Sequence, residues 1–166
     1  MNRRAGVIKY LEELNIPYEL YEHPPVPTVE EALPHWKDID ATHCKNLFFR
    51  NHKGNRHYLV ILEHRRLLNI RDLEQKLKQG KISFASSHRM ERYLGLGAGS
   101  VSAFGIINDH DNHVHLFIDQ VLQSSTRISF HPNENNATLV ISFASFLRFL
   151  DSSGNSYEFI KLYDDE

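Results

Sequence analysis

The sequence predicts an α+β protein: one domain over residues 1–166, built on a mixed, mostly antiparallel sheet flanked by helices. Three observations carry this expectation. A chain of 166 residues suits one compact core and leaves no room for a second of useful size. Segments with helical spacing of apolar residues are interleaved with short β-branched and aromatic runs. Several of those runs are joined by turns too short for the crossover that parallel neighbours need.

Val7, Leu11 and Leu14, with Ile8 alongside, recur at helical spacing and predict an amphipathic helix over residues 3 to 14, ended by Asn15-Ile16-Pro17. Tyr18 to Tyr21 reads as extended. Thr28-Val29-Glu30-Glu31 has the capping-box pattern, so a helix starts there. Pro34 is expected to interrupt it early. Leu47-Phe48-Phe49 and Tyr58 to Leu62 flank the turn His52-Lys53-Gly54-Asn55 and predict an antiparallel hairpin.

Asn69 is placed to cap a helix carrying Leu73 and Leu77, with Gly80 at its C-terminal cap. Ile82 to Ala85 reads as a short strand, and Ser87 as the cap of a helix through Met90 and Leu94 to Gly95. A glycine-rich loop follows, from Gly95 to Gly105. Val114 to Ile118, Ile128 to Phe130 and Leu139 to Ile141 are further strands. Phe143, Phe146, Leu147 and Leu150 mark a late helix closed by Ser152-Ser153-Gly154, and Tyr157 to Leu162 a last strand.

Composition narrows the function classes. Apolar residues make up 41% and charged residues 24%, as in a soluble globular protein, and no run approaches the roughly 20 apolar residues of a membrane span. The N-terminal Met1 to Gly6 is basic, but no apolar stretch follows it as in a secretory signal, so the cytoplasm is the expected compartment. The single cysteine, Cys44, excludes an intramolecular disulfide and a multi-cysteine zinc site. A formal net charge of -2 argues against coating of a nucleic-acid backbone, so any such contact is local, at a few Lys or Arg residues.

Four segments are candidates for chemistry. In Cys44-Lys45-Asn46-Leu47-Phe48, a lysine ahead of a strand can hold a phosphate or polarise a carbonyl, and Asn46 offers a donor and an acceptor; an exposed lysine protecting a strand edge is the plain structural alternative. In Gly95 to Gly105, converging backbone N–H groups can make a pocket for an oxyanion, whereas the glycine spacing fits neither a dinucleotide fingerprint nor a P-loop. In Phe130-His131-Pro132-Asn133, His131 can act as donor, acid or base, although an ordinary turn between strands also accounts for it. His113 and His115 share a strand face, as metal ligands can, but the surrounding Asp/Asn run reads as a solvated turn, and no metal is assigned. Cys44 reads as a small buried residue rather than an activated thiolate. Arg65-Arg66, Lys76-Lys78-Lys81 and His88-Arg89-Arg92 read as solvated helix faces.

Taken in order, these motifs resemble one family. His23-Pro24-Pro25-Val26-Pro27-Thr28-Val29-Glu30-Glu31-Ala32 and His43-Cys44-Lys45-Asn46-Leu47-Phe48-Phe49 are similar to the opening of ProX-type members of the YbaK superfamily. Gly99 to Ile106 resembles that family's GSVSPFGL-like loop, and Phe130-His131-Pro132-Asn133 with Asn135 and Ala137-Thr138-Leu139 its late FHPN signature. The resemblance implies a trans-editing hydrolase that deacylates mischarged tRNA, Ala-tRNA(Pro) first. Its partners would be the aminoacyl-tRNA acceptor end and, as a second candidate, prolyl-tRNA synthetase; no cofactor is implied. It assigns Lys45 and Asn46 as substrate-orienting residues, Gly99, Ser100 and Val101 as the loop lining the aminoacyl pocket, and His131 as a pocket residue. Val26, Thr28 and Phe48 are expected in the pocket wall. Ala103 stands where the family commonly has proline, which removes a φ restraint from the loop, and Pro27 where many members have an aromatic residue.

The chemistry suits this set, because an aminoacyl ester is already activated. Its hydrolysis needs a positioned water, oxyanion donors and an ester held in register, not a triad or a metal. Amides of the Gly99–Val101 loop are the expected oxyanion donors, Asn46 the expected holder of the α-amino group, and the tRNA's terminal ribose hydroxyl the activator of water that the resemblance implies. Rival readings are a Cys-tRNA(Pro) deacylase, a non-catalytic module binding aminoacyl-tRNA or the synthetase, and a metal hydrolase using His113 and His115.

Overall fold

The computed structural model describes residues 2–166; Met1, the first residue of the basic N-terminal segment, lies outside them. The elements follow in the order α1 (Arg3–Glu13), β1 (Glu19–Glu22), α2 (Val29–Trp36), β2 (Thr42–Asn51), β3 (His57–Glu63), α3 (Ile70–Leu77), β4 (Ile82–Phe84), α4 (Ser87–Leu94), β5 (Val114–Asp119), β6 (Arg127–Phe130), β7 (Ala137–Ser142), α5 (Phe143–Ser153) and β8 (Tyr157–Ile160). Short 3-10 turns span Ala103–Asn108 and Gln120–Ser124.

The strands form one mixed sheet in the order β1-β7-β6-β2-β3-β5-β8, with β4 added to β2. The pairs β1–β7, β6–β7, β2–β3 and β2–β4 are antiparallel. The pairs β2–β6, β3–β5 and β5–β8 are parallel. Side-chain alternation sorts the sheet into two apolar faces. Leu59 and Ile61 of β3 join Phe48, Leu116, Ile128, Phe130 and Leu139 beneath α1, α5 and the 3-10 turn that carries Phe104. Tyr58, Val60 and Leu62 join Phe49 and Phe117 against Leu73 and Leu77 of α3. Each such fully buried Leu, Ile or Phe contributes roughly 1.5–3 kcal/mol relative to exposure.

Helix ends follow their caps. Asn69 accepts from the amides of Arg71 and Asp72 to start α3, and Ser142 accepts from Ser145 to start α5. Four sequence expectations shift. Ser86, not Ser87, caps α4. Lys78, in the left-handed region at φ 58, caps α3 ahead of Gly80. Pro34 lies within α2, which continues to Trp36, because a helix this short forfeits only the one bond to the Glu30 carbonyl. The largest change is in β2, which extends from Thr42 to Asn51. Lys45 and Asn46 therefore sit inside a strand rather than ahead of one.

Candidate active site

The site is built on an interruption in the sheet. One edge of β2 pairs with β6 only at Thr42 and His43 and with β4 only from Phe49 to Asn51, so the edge between them is open. The Phe48 carbonyl accepts from Ala85 N–H on the β4 side at 2.9 Å. Backbone direction alternates along a strand, so Asn46 also aims its N–H and C=O into the opening. Among the described residues nothing bonds these two groups. A cleft of about 300 Å³ lies there, lined by residues that include Thr28, Lys45, Asn46, Phe48, Gly99, Val101 and His131.

Residues distant in sequence meet here because hydrogen bonds staple their loops together. The Asn46 side-chain Oδ1 accepts from Ala103 N–H at 3.1 Å. Ser102 Oγ donates to the His131 carbonyl at 2.6 Å, and Asn133 Nδ2 to the Phe104 carbonyl at 3.2 Å. Asn135 Nδ2 reaches the Gly99 carbonyl at 3.4 Å, while its own carbonyl accepts from Val26 N–H at 2.9 Å. Asn133 adopts φ 62, a left-handed conformation that asparagine tolerates, and so turns the chain under the glycine loop. Gly99 has φ +84, and a Cβ there would stand 3.2 Å from Pro27 Cβ. Glycine is required at that position both by its conformation and by the close approach of the proline.

These contacts set what each group offers. With Oδ1 held by Ala103, Asn46 presents its two N–H donors, which suit a carbonyl or ribose oxygen; an α-ammonium would need an acceptor instead. The expected loss of loop restraint at Ala103 is offset in the same contact, since a proline lacks the N–H that Asn46 holds. Lys45 is half-buried, and among the described residues no carboxylate lies within ion-pair distance of its Nζ. Burial holds its pKa below the usual lysine value, with Glu30 and Glu63 opposing the shift. His131 Nδ1 lies 3.0 Å from the Ala137 carbonyl. A carbonyl only accepts, so Nδ1 carries the hydrogen and Nε2 the lone pair. Burial pulls the His131 pKa down, with the Ala137 bond opposing it, which keeps the ring neutral at pH 7.

Two expected residues are placed elsewhere. Val26 is 3% exposed and packs with Ala32, Trp36 and Ile39 beneath α2; its neighbours Pro27 and Thr28 face the cleft instead. Ser100 is absent from the lining, and its amide is turned back to the Gly97 carbonyl at 3.2 Å, so it is no oxyanion donor. The amides of Gly99 and Val101 have no protein acceptor among the described residues and keep that capacity.

The other candidates resolve as structure. Burial raises the Cys44 thiol pKa well above its usual value, with Glu63 adding to the rise, so the thiolate is disfavoured. His113 Nε2 pairs with His57 Nδ1 at 2.8 Å, while His115 pairs with Ser156 Oγ at 2.7 Å and with Glu158 at 3.7 Å; the two rings engage separate partners. Among the described residues no group of three or more His, Cys, Asp or Glu is placed to hold a metal. Arg89 is not a solvated-face residue: it bonds the Gly54 carbonyl and His57 Nε2. Lining residues with no expected site role are Trp36, Phe84 and Met90, and, within the two candidate segments, Leu47 and Ala98. Trp36 is recognisable only in three dimensions, where it stacks on His43 at 4.6 Å and donates to Thr138 Oγ1 at 3.0 Å.

Comparison with known proteins places the chain in a family. The aminoacyl-tRNA editing domain family matches residues 23–149. The prolyl-tRNA editing protein ProX of Acetoanaerobium sticklandii is 37% identical over 98% of this chain and 99% of its own. The prolyl-tRNA synthetase associated domain-containing protein 1 of Xenopus laevis is 34% identical over 92% of each. The crystal structure of a candidate trans-editing enzyme for prolyl-tRNA synthetase superposes with a TM-score of 0.69 at 18% identity, over 97% of this chain and 98% of that one, and so shares the fold. Among the described residues no helix is long and apolar enough to cross a membrane. With the family match over residues 23–149 and ProX-level identity along almost the whole chain, this protein belongs to the aminoacyl-tRNA editing domain family.

Proposed function

We propose that this protein edits prolyl-tRNA in trans, hydrolysing the ester of tRNA(Pro) mischarged with alanine. The observation that carries the proposal is the convergence of Lys45, Asn46, Gly99, Val101 and His131 on one cleft beside an open strand edge. Family membership supports the reaction class, and the names of the relatives support prolyl-tRNA as the substrate class.

Water adds to the ester carbonyl carbon, the carbonyl oxygen takes up the negative charge, and the ribose oxygen leaves with a proton. Amides of Asn46, Gly99 and Val101 stand along the cleft where that oxyanion would develop. Donors aimed there in advance lower the barrier without reorganising during the reaction. The Asn46 side chain donates to the ester or ribose oxygen, and the Lys45 ammonium holds the anionic 3′ end. His131 Nε2, the neutral acceptor, takes the α-ammonium. The terminal ribose hydroxyl of the tRNA is the proposed activator of water.

Selection follows from size. A synthetase pocket shaped for proline rejects the smaller alanine weakly, since one methylene is worth only about 1–3 kcal/mol. A second pocket walled by Pro27, Thr28, Phe48 and Val101 would admit alanine and exclude the proline ring. Incubation with Ala-tRNA(Pro) tests the reading: the account expects release of alanine, whereas a non-catalytic module would hold the tRNA without turnover.

A further inference from the structure

Phe84 has a large apolar side chain that is 53% exposed. Among the described residues, the other exposed large apolar residues, Tyr21, Leu33, Leu67 and Val121, form no part of the cleft wall, whereas Phe84 does. Its ring is held before any ligand arrives. β4 pairs with β2 through Phe49↔Phe84, Arg50↔Ser83 and Asn51↔Ile82, and the next residue, Ala85, donates to Phe48. Behind Phe84 stands the fully buried Phe49, with ring centroids 4.6 Å apart and planes at 26°. Leu47 and Met90 border the same stretch of wall. The result is an aromatic shelf with a rigid backing, opening onto the cleft that holds Asn46 and the unpaired Lys45.

We infer that Phe84 is a stacking platform for the base of the 3′-terminal nucleotide of the tRNA, with Leu47 and Met90 as its apolar borders. The inference rests on the editing function proposed above. The ester to be cut hangs from the ribose of that nucleotide. A pose that brings the carbonyl to Asn46 and Gly99 therefore places the base within one nucleoside of the cleft. Every base has a π-face, so an aromatic shelf binds it without reading its edge, which suits an end shared by all tRNAs. The Lys45 ammonium, which lines the same cleft, is complementary to the adjoining phosphate and not to an uncharged apolar partner. Stacking also places the ribose, so that the selective part of the site is left to meet the amino acid alone.

The test uses the full chain and a non-hydrolysable probe, adenosine carrying alanine through a 3′-amide in place of the ester. Binding to the parent protein and to Phe84→Ala, Phe84→Leu and Phe84→Trp is measured by calorimetry. The KM and kcat for Ala-tRNA(Pro) are measured on the same four proteins. Stacking predicts affinity for the probe about ten-fold or more weaker in Phe84→Ala, recovered in Phe84→Trp and not in Phe84→Leu. The loss in turnover should appear in KM more than in kcat. Phe84→Leu keeps apolar cover over Phe49, so a folded Phe84→Leu with weak binding separates stacking from simple packing. Parent-like affinity and KM in Phe84→Ala, or full recovery by leucine, would overturn the platform while the parent's turnover left the editing reading intact. A parent protein that neither binds the probe nor releases alanine would instead remove the editing reading and this inference with it.

Discussion

Acid should weaken this fold through one buried histidine, and the direction and size of the effect follow from its contacts. His57 is 1% exposed and bonded at both ring nitrogens. Arg89 Nη1 stands 3.0 Å from its Nε2. A guanidinium only donates, so Nε2 accepts, and Nδ1–H must donate to His113 Nε2 at 2.8 Å. Protonation would break this directional chain and add charge beside cations. Burial first, then His113, Arg89, Arg50 and Arg92, lower the His57 pKa from 6.5 to about 4. A folded pKa below the unfolded one means that the stabilisation is complete above about pH 6.5 and is lost as pH falls towards 4. In that window the unfolded chain binds a proton that the native one does not. A shift of this size corresponds to roughly 3 kcal/mol. Burial also depresses His43, His64, His115 and His131, so the parent's total slope is steeper than one group alone produces. The contribution of His57 is isolated by His57→Phe, whose ring fits the aromatic surroundings of Phe48 and Tyr93. Urea unfolding of both proteins at pH 7.5, 5.5 and 4 should show the parent's advantage shrinking by roughly 3 kcal/mol across the series. Equal pH slopes in the two proteins would mean that His57 contributes nothing to the acid sensitivity.

Other expectations are tested with the same preparations. Lys45→Ala should lower deacylation about 100-fold or more with the fold retained, as loss of an electrostatic anchor in the site requires; an unfolded variant would mean that Lys45 is structural. Asn46→Asp keeps an oxygen for Ala103 N–H but has no side-chain donors, so turnover should fall while the melting temperature stays near the parent's; Asn46→Ala should lose both, with about 1–2 kcal/mol of stability. Cys44→Ser should change the rate by less than about two-fold, in keeping with a buried thiol that takes no part; a dead variant would restore the thiolate mechanism. Gly99→Ala, strained by its positive φ and by Pro27, should cost about 1–3 kcal/mol and slow turnover, whereas Gly97→Ala, with open space around its Cβ position, should do neither.

The parts of this account that were legible in the sequence are those written locally. Asn69, Thr28 and Gly95 mark helix ends by their own chemistry, and the apolar spacing of Phe143 to Leu150 announces α5. The motifs around Lys45, Gly99 and His131 are legible as a set, and seven of the nine expected site residues, all but Ser100 and Val26, lie around one cleft. What was hidden depends on pairings between distant residues. Nothing local tells β2 to pair with β6 only at Thr42 and His43 and with β4 only from Phe49 onwards, yet those two pairings leave the open edge at Asn46. The side chain of Val26 turns to the core and those of Pro27 and Thr28 to the cleft, a choice that an irregular segment does not reveal in its sequence. The Ser100 amide is taken up internally by a tight turn to the Gly97 carbonyl, which glycine spacing alone does not disclose. Ala103 reads locally as a loosened loop because the bond from its N–H to Asn46 Oδ1 joins residues far apart in sequence. Phe84 carried no signal beyond a three-residue strand, since its exposure is set by what β4 leaves uncovered.

Editing activity is tested by deacylation of Ala-tRNA(Pro), beside Cys-tRNA(Pro) and Pro-tRNA(Pro), with and without EDTA. The account predicts rapid loss of alanine that the chelator does not slow, with proline spared. Survival of all three esters alongside an active control deacylase would contradict it and leave a tRNA-binding module as the better description of the site.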